Sequence, residues 1–294
     1  MKEGPYSGWQ LRTVLTVAMI LSCGASALAQ SGSVPAPIWT AQAAAPAGEM
    51  LTFALGEEDA LVDPFFAGQA LYLRPFQGPL ANQEKAGVAW WDRHTSSWYG
   101  AANGTLVRVK EDGRLVVVGD NVQGRDGDVR SDLGRLVTRE PDNTIVLHRF
   151  GASRQGRKVL LKGEQYFHPR LSPDGRTVLV AASHKGAGRM VLVNSREEVT
   201  DLGQGYGAAW HPHGKRIVFA RIVHDSRRIL SSRLWLMEAD SQKMSPVSLP
   251  KQMIPVEPAF SDDGRWLAFV DLNAHRMVVL ATEKLLEEAE HESL

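Results

Sequence analysis

Leu171-Ser172-Pro173-Asp174-Gly175-Arg176-Thr177-Val178-Leu179-Val180 is the stretch that decides the fold. A Pro-Asp-Gly turn separates a strand-ending Leu from a β-branched run; Gly supplies the positive φ and the basic residue opens the next strand. Three further segments repeat the arrangement: Ser131-Asp132-Leu133-Gly134-Arg135-Leu136-Val137, Trp210-His211-Pro212-His213-Gly214-Lys215-Arg216-Ile217-Val218-Phe219 and Phe260-Ser261-Asp262-Asp263-Gly264-Arg265-Trp266-Leu267-Ala268-Phe269. Their glycines stand 41, 39 and 50 residues apart. About ten residues beyond each of the last three turns comes another β-rich run: Arg189 to Val193, Arg233 to Met237 and Arg276 to Leu280. Three to four strands in roughly 40 residues is the arithmetic of a propeller blade. The longest interval is assigned to an insertion, His224 to Ser232, read as a lengthened loop between the second and third strands of its blade.

Working outward, Gly87 to Asp92 with Ser97-Trp98-Tyr99, and Phe65 to Tyr72, read as the turns and strands of two earlier blades. Residues 50 to 282, at about 40 residues per blade, hold close to six. The expectation is an all-β, closed β-propeller of six four-stranded blades. An open edge on the last blade would invite pairing with another chain. Met50 to Leu55 is therefore expected to supply the outer strand of the blade containing Arg265 to Leu280.

The motif Ser172-Pro173-Asp174-Gly175-Arg176, with its variants at Ser261 to Arg265 and His211 to Lys215, resembles the WD-like repeat of TolB-like periplasmic β-propellers. The resemblance covers residues 128 to 281. It implies six blades, and a role in holding an envelope protein or peptide rather than in catalysis.

The ends of the chain read differently. Residues 1–29 combine Lys2 and Arg12, the apolar run Val14 to Leu21 and Ala27-Leu28-Ala29, the pattern of a secretory signal. Two processing sites compete: cleavage after Ala29, or lipidation at Cys23 within Ile20-Leu21-Ser22-Cys23-Gly24, which resembles a bacterial lipobox. The expected location is the periplasm or the exterior, with the outer membrane as the lipoprotein alternative. Residues 30–49, rich in Ala, Pro, Ser and Gly, read as a flexible tether, and 283–294 as an acidic tail.

Composition narrows function. Thirty-three basic residues balance 33 acidic ones, so no global field recruits nucleic acid or an anionic membrane; any membrane contact is expected through the Cys23 anchor. The one cysteine excludes a disulfide scaffold and multi-cysteine metal centres. Neither a Gly-x-Ser-x-Gly elbow, a His-Glu-x-x-His, a Walker loop nor a Rossmann glycine pattern occurs. Asp126-Gly127-Asp128 with Asp132 departs from a calcium loop because Arg130 takes a ligand position, and reads as a solvated turn. His211-Pro212-His213 aligns with turn residues of the neighbouring repeats and reads as a turn. No cofactor and no metal site are expected.

The concave channel mouth remains, where residues leading into the innermost strands converge. By register these are Gln165, Tyr166 and His168 in one blade, Gln204 and Tyr206 in the next, and Val256 and Glu257 in the last. Arg227, Arg228 and Arg233, in and beside the insertion, form a second candidate contact for a partner. The alternative is a propeller enzyme of lactonase or lyase type with a channel metal. Only Glu257 and His168 stand at inward register as ligands, which favours the scaffold. The chain is expected as a monomer or as part of a hetero-complex.

Overall fold

The computed structural model describes residues 39–40, 50–55, 63–67, 70–74, 88–95, 97–102, 104–110, 114–124, 126–151, 155–184, 187–225, 229–283 and 285. The signal region with Cys23 lies outside the described residues, as do Arg227 and Arg228. Early in the chain come β1 (Trp39–Thr40) and β2 (Leu51–Ala54). A first sheet holds β3 (Asp63–Ala67) and β4 (Ala70–Arg74), and a second β5 (Val88–Asp92), β6 (Ser97–Ala102), β7 (Thr105–Val109) and β8 (Leu115–Asp120). The third is β9 (Asp126–Arg130), β10 (Arg135–Arg139), β11 (Ile145–Arg149) and β12 (Gly156–Leu161). The fourth is β13 (Gln165–Leu171), β14 (Thr177–His184), β15 (Ala187–Asn194) and β16 (Val199–Gln204). The fifth is β17 (Tyr206–Trp210), β18 (Arg216–His224), β19 (Ile229–Glu238) and β20 (Met244–Pro246). The sixth contains β21 (Pro255–Phe260), β22 (Trp266–Asp271) and β23 (Arg276–Ala281).

All pairings are antiparallel. β2 completes the sixth sheet, pairing Leu51 with Val279 and Ala54 with Arg276. Within the segment read as a tether, Trp39 and Thr40 instead pair with Leu71 and Ala70 and make the first sheet three-stranded. A sheet edge with free N–H and C=O groups recruits even a short, compositionally loop-like stretch. Among the described residues there are thus five four-stranded sheets and one of three strands.

The innermost strands are β3, β5, β9, β13, β17 and β21. β5 packs on β9, β9 on β13, β13 on β17, β17 on β21 and β21 on β3. The middle strands β18 and β22 are buried on both faces, so their sequences read as continuous apolar runs. Ile217 and Phe219 enter the cluster shared with the fourth sheet, while Val218 and Ala220 enter the one shared with the sixth. Leu267 and Phe269 likewise face the fifth sheet, and Ala268 and Val270 the first.

The repeated turn follows from its side chains. Ser172 Oγ donates to Asp174 Oδ1 at 2.6 Å and accepts from Thr177 N at 3.0 Å, while Arg176 N donates to the same carboxylate at 3.0 Å. Ser261, Asp263, Arg265 and Trp266 repeat the pattern at 2.7, 2.9 and 3.0 Å. Burial pushes the Asp174 and Asp263 carboxyls up, but the hydroxyl, the N–H and the adjacent arginine outweigh it and hold both below the usual range. Gly175 and Gly264 close these turns at φ +65° and +74°. The turns also join the sheets. Arg130 and Arg135 donate to the carbonyls of Pro173 and Gly175, Asp92 accepts from Ser131 N at 3.0 Å, and Gly264 sits against the His211 ring.

The insertion His224 to Ser232 is not simply a lengthened loop. Ile229 to Ser232 belong to β19, and the ladder with β18 continues through Ile222↔Ser232, Val223↔Ser231 and His224↔Ile229. β-branched side chains at Ile222, Val223 and Ile229 favour that extension. At the other end of the chain Thr282 is buried, its hydroxyl bonded to Gly264 O at 2.6 Å, and Leu285 packs on the core between the fifth and sixth sheets.

Candidate functional site

Three consecutive inner strands are kinked alike. Register slips between Phe167 and Arg170, between Tyr206 and Ala209, and between Val256 and Ala259. At each slip one residue is left-handed: His168 (φ +49°), Gly207 (φ +52°) and Glu257 (φ +49°). A bulge re-aims side chains, and a non-glycine residue held at positive φ marks a position that the surroundings over-determine.

Between these bulges and the repeat turns lies a central cavity of about 110 Å³. All six sheets reach it, through Phe66, Trp90, Asp128, Arg170, Trp210 and Phe260 among others, with Arg93 and Asp262 from the turns. His168 and Glu257 line it beside Gly207. The carboxylate of Glu257 lies so close to Gly207 that an added Cβ would stand 3.2 Å from Oε2.

The wall is braced by a buried acid. Asp126 Oδ2 accepts the His168 N–H at 2.7 Å and lies 3.4 Å from His168 Nδ1, while Oδ1 lies 3.5 Å from Arg170. Burial pushes the Asp126 carboxyl up, but His168, Arg170, Arg139 and the N–H bond outweigh it, leaving Asp126 below the ordinary carboxylate range. Asp128 Oδ2 accepts Leu171 N at 2.9 Å. Asp126-Gly127-Asp128 is therefore the start of inner strand β9 and not a solvated turn: both carboxylates fasten the third sheet to the kinked strand of the fourth. Two indole N–H groups beside the cavity, Trp90 Nε1 and Trp210 Nε1, are buried with no partner among the described residues.

The residues picked from sequence divide into four environments. His168 and Glu257 line the cavity. Gln165, Gln204 and Tyr206 lie beyond the bulges, on the face away from the repeat turns; both glutamines are exposed. Tyr206 Oη accepts Gly188 N at 2.8 Å, fixing the ring on the fourth sheet. Tyr166 does not reach solvent at the mouth: it is 5% exposed, within the apolar cluster between the third and fourth sheets. Regular alternation would put Tyr166 and His168 on one face; the bulge at His168 and Pro169 breaks it and re-aims His168 into the cavity while Tyr166 stays in the core. Val256 is similarly buried between the sixth and first sheets. Arg233 is exposed on β19.

Asp126, Asp128, Arg170, Trp90, Arg93, Gly207 and Asp262 were missed. One signal could have exposed two of the three bulges: His168-Pro169 and Glu257-Pro258 occupy equivalent places in their repeats, and a Pro inside a strand cannot donate to the ladder and so marks a bulge. His211 and His213 remain turn residues with ring centroids 5.0 Å apart, and Nδ1 of His211 accepts the His213 N–H at 3.3 Å. Among the described residues no group of three His, Cys, Asp or Glu is arranged to hold a metal, and no helix is long and apolar enough to cross a membrane.

Antiparallel sheets with successive inner strands around a polar cavity define a β-propeller-type protein. The comparisons agree. Over 80% of this chain and 80% of the other, the structure matches hydrazine synthase of Kuenenia stuttgartiensis with a TM-score of 0.54 at 12% identity. It matches a TolB-type protein of Agrobacterium tumefaciens over 77% of this chain and 80% of that one, with a TM-score of 0.50 at 15% identity. TolB of Acinetobacter baumannii aligns over 60% of this chain and 48% of its own, at 20% identity and a TM-score of 0.43. No family model and no curated protein matches the sequence. The fold is TolB-like.

Proposed function

We propose that this protein is a non-catalytic binding or scaffold protein of the bacterial envelope, presenting the channel-mouth face of its propeller to a protein or peptide partner. The observation that carries the reading is the braced wall of the channel. Asp126 is held by the His168 backbone N–H with the His168 ring and Arg170 beside it, and its carboxyl lies below the ordinary range, so it serves as a strut held ionised rather than as an acid or base poised near neutrality. The cavity of about 110 Å³ is well below the roughly 300 Å³ at which small-molecule pockets begin. A braced rim around a cavity of this size suits surface recognition, where preorganisation lowers the cost of binding. Placement in the envelope rests on the export signal read in residues 1–29.

The test is a photo-crosslinking residue at Gln165 or Gln204, with Val117, exposed on β8, as control. Adducts with one envelope protein at the glutamines and none at Val117 support the proposal. Adducts at none of the three overturn it, as does turnover of a substrate that Arg93→Ala or Asp262→Asn abolishes.

A further inference from the structure

The fifth sheet outgrows its neighbours on the mouth face. β17 pairs with β18 no further than Tyr206↔Ala220, and β20 with β19 no further than Trp235↔Pro246. The β18–β19 ladder nevertheless continues through Arg221↔Arg233, Ile222↔Ser232 and Val223↔Ser231. Directly paired residues share a face, and successive pairs alternate. Ile222 and Ser232 face the sixth sheet: Ile222 packs on its core, and Ser232 Oγ donates to Pro255 O at 2.6 Å. The hairpin is thus propped from one side.

The opposite face carries Arg221, Val223, Ser231 and Arg233. Lower on that face, Phe219 is buried and Trp235 packs against the cluster shared with the fourth sheet. That sheet's last strand ends at Gln204, whose carbonyl accepts Arg221 Nε at 3.4 Å. Beyond it Val223 is 57% exposed, Leu230 at the tip 47%, and Ser231 and Arg233 are exposed as well. The arginines oppose each other across the ladder, an arrangement that destabilises a sheet unless a carboxylate relieves it. Arg221 stacks on Trp235 at 4.4 Å, and neither arginine has an ion pair among the described residues. Residues 221–233 contain four arginines and a single acid, Asp225.

We propose that this overhanging hairpin face is a docking surface for an acidic protein segment, with an apolar side chain against Val223 and a carboxylate between Arg221 and Arg233. The proposal rests on the scaffold reading and gives that partner its chemistry. Arginine is enriched at protein interfaces, and complementary charge speeds encounter.

The experiment uses the mature chain and two labelled peptides, one alternating Glu and Leu and one alternating Lys and Leu, followed by fluorescence anisotropy. The Glu-Leu peptide is expected to bind, to weaken with salt, and to lose roughly tenfold in affinity in Arg233→Glu and again in Val223→Asp. Both positions are exposed, and Arg233→Glu gains Arg221 as an opposite charge, so folding is retained; circular dichroism confirms it. Equal binding of the Lys-Leu peptide, indifference to both substitutions, absence of binding, or binding to anionic lipid vesicles instead of the peptide overturns the proposal. Crosslinking at Gln165 separates the two readings. If it survives in Arg233→Glu while no variant responds to peptide, the hairpin proposal fails and the scaffold stands. If it is absent while peptide binding behaves as expected, the mouth is wrong and the hairpin is the binding surface.

Discussion

Gly264→Ala, set beside Gly214→Ala, tests whether the repeated turn is only a turn or also a joint between sheets. Both glycines are left-handed, at φ +74° and +75°, so each alanine carries about 1 to 2 kcal/mol of backbone strain. The loss of chain entropy in the unfolded state is the same for both and cancels in the comparison. The surroundings differ. At Gly214 a Cβ meets Pro173 at 3.6 Å, ordinary van der Waals contact. At Gly264 it meets Cε1 and Nε2 of His211 at 2.7 Å. That ring has little room to yield, because it lies edge-on to Phe260 at 5.0 Å and its Nδ1 accepts the His213 N–H. Overpacking of this kind adds about 1 to 3 kcal/mol, for a total of roughly 2 to 5 kcal/mol against 1 to 2 at Gly214. Urea midpoints of the mature protein and both variants measure the difference. A cycle with His211→Ser, which installs the residue found at Ser172 and Ser261, should recover the excess in Gly264→Ala. Equal losses at the two glycines, or no coupling to His211, would refute the joint.

His148 is buried, its Nε2 2.9 Å from Thr138 Oγ1, and burial followed by the Arg157 charge lowers it to about 4. The unfolded chain therefore takes up the proton first, and stability present above pH 6.5 falls by as much as about 3 kcal/mol as pH drops towards 4. Urea midpoints across that window should fall less steeply in His148→Gln, and parallel slopes would contradict this. Asp126→Ala strands the His168 N–H and removes the carboxylate facing Arg170, at a cost of roughly 2 to 4 kcal/mol in the same assay. Tyr166→Ala should lose about 3 kcal/mol as a core truncation while Gln165→Ala loses less than about 0.5, and similar midpoints for the two would place Tyr166 outside the core.

Much of the architecture was legible in the chain because its signals are local. A Ser-x-Asp-Gly-Arg turn forms from side-chain bonds spanning six residues, as between Ser172 and Thr177, and so it repeats visibly wherever the residues repeat. The runs after each turn, such as Arg216 to Phe219, read as strands, and the structure shows them covered on both faces. The β2 strand could be placed because an unpaired last sheet has an evident need. The candidate site was legible only by register. His168 and Glu257 were found at the cavity, whereas Tyr166, two residues before His168, went to the core, since the bulge at His168 and Pro169 breaks the alternation that would otherwise put both on one face. Asp126 gave no sign of its role, because its partners at His168 and Arg170 lie more than 40 residues away in another sheet. Nor could the sequence distinguish a loop from a ladder at His224 to Ser232. That choice was made by the sixth sheet, whose core takes Ile222 and whose Pro255 carbonyl takes Ser232, and only when sheets pack side by side does either partner exist.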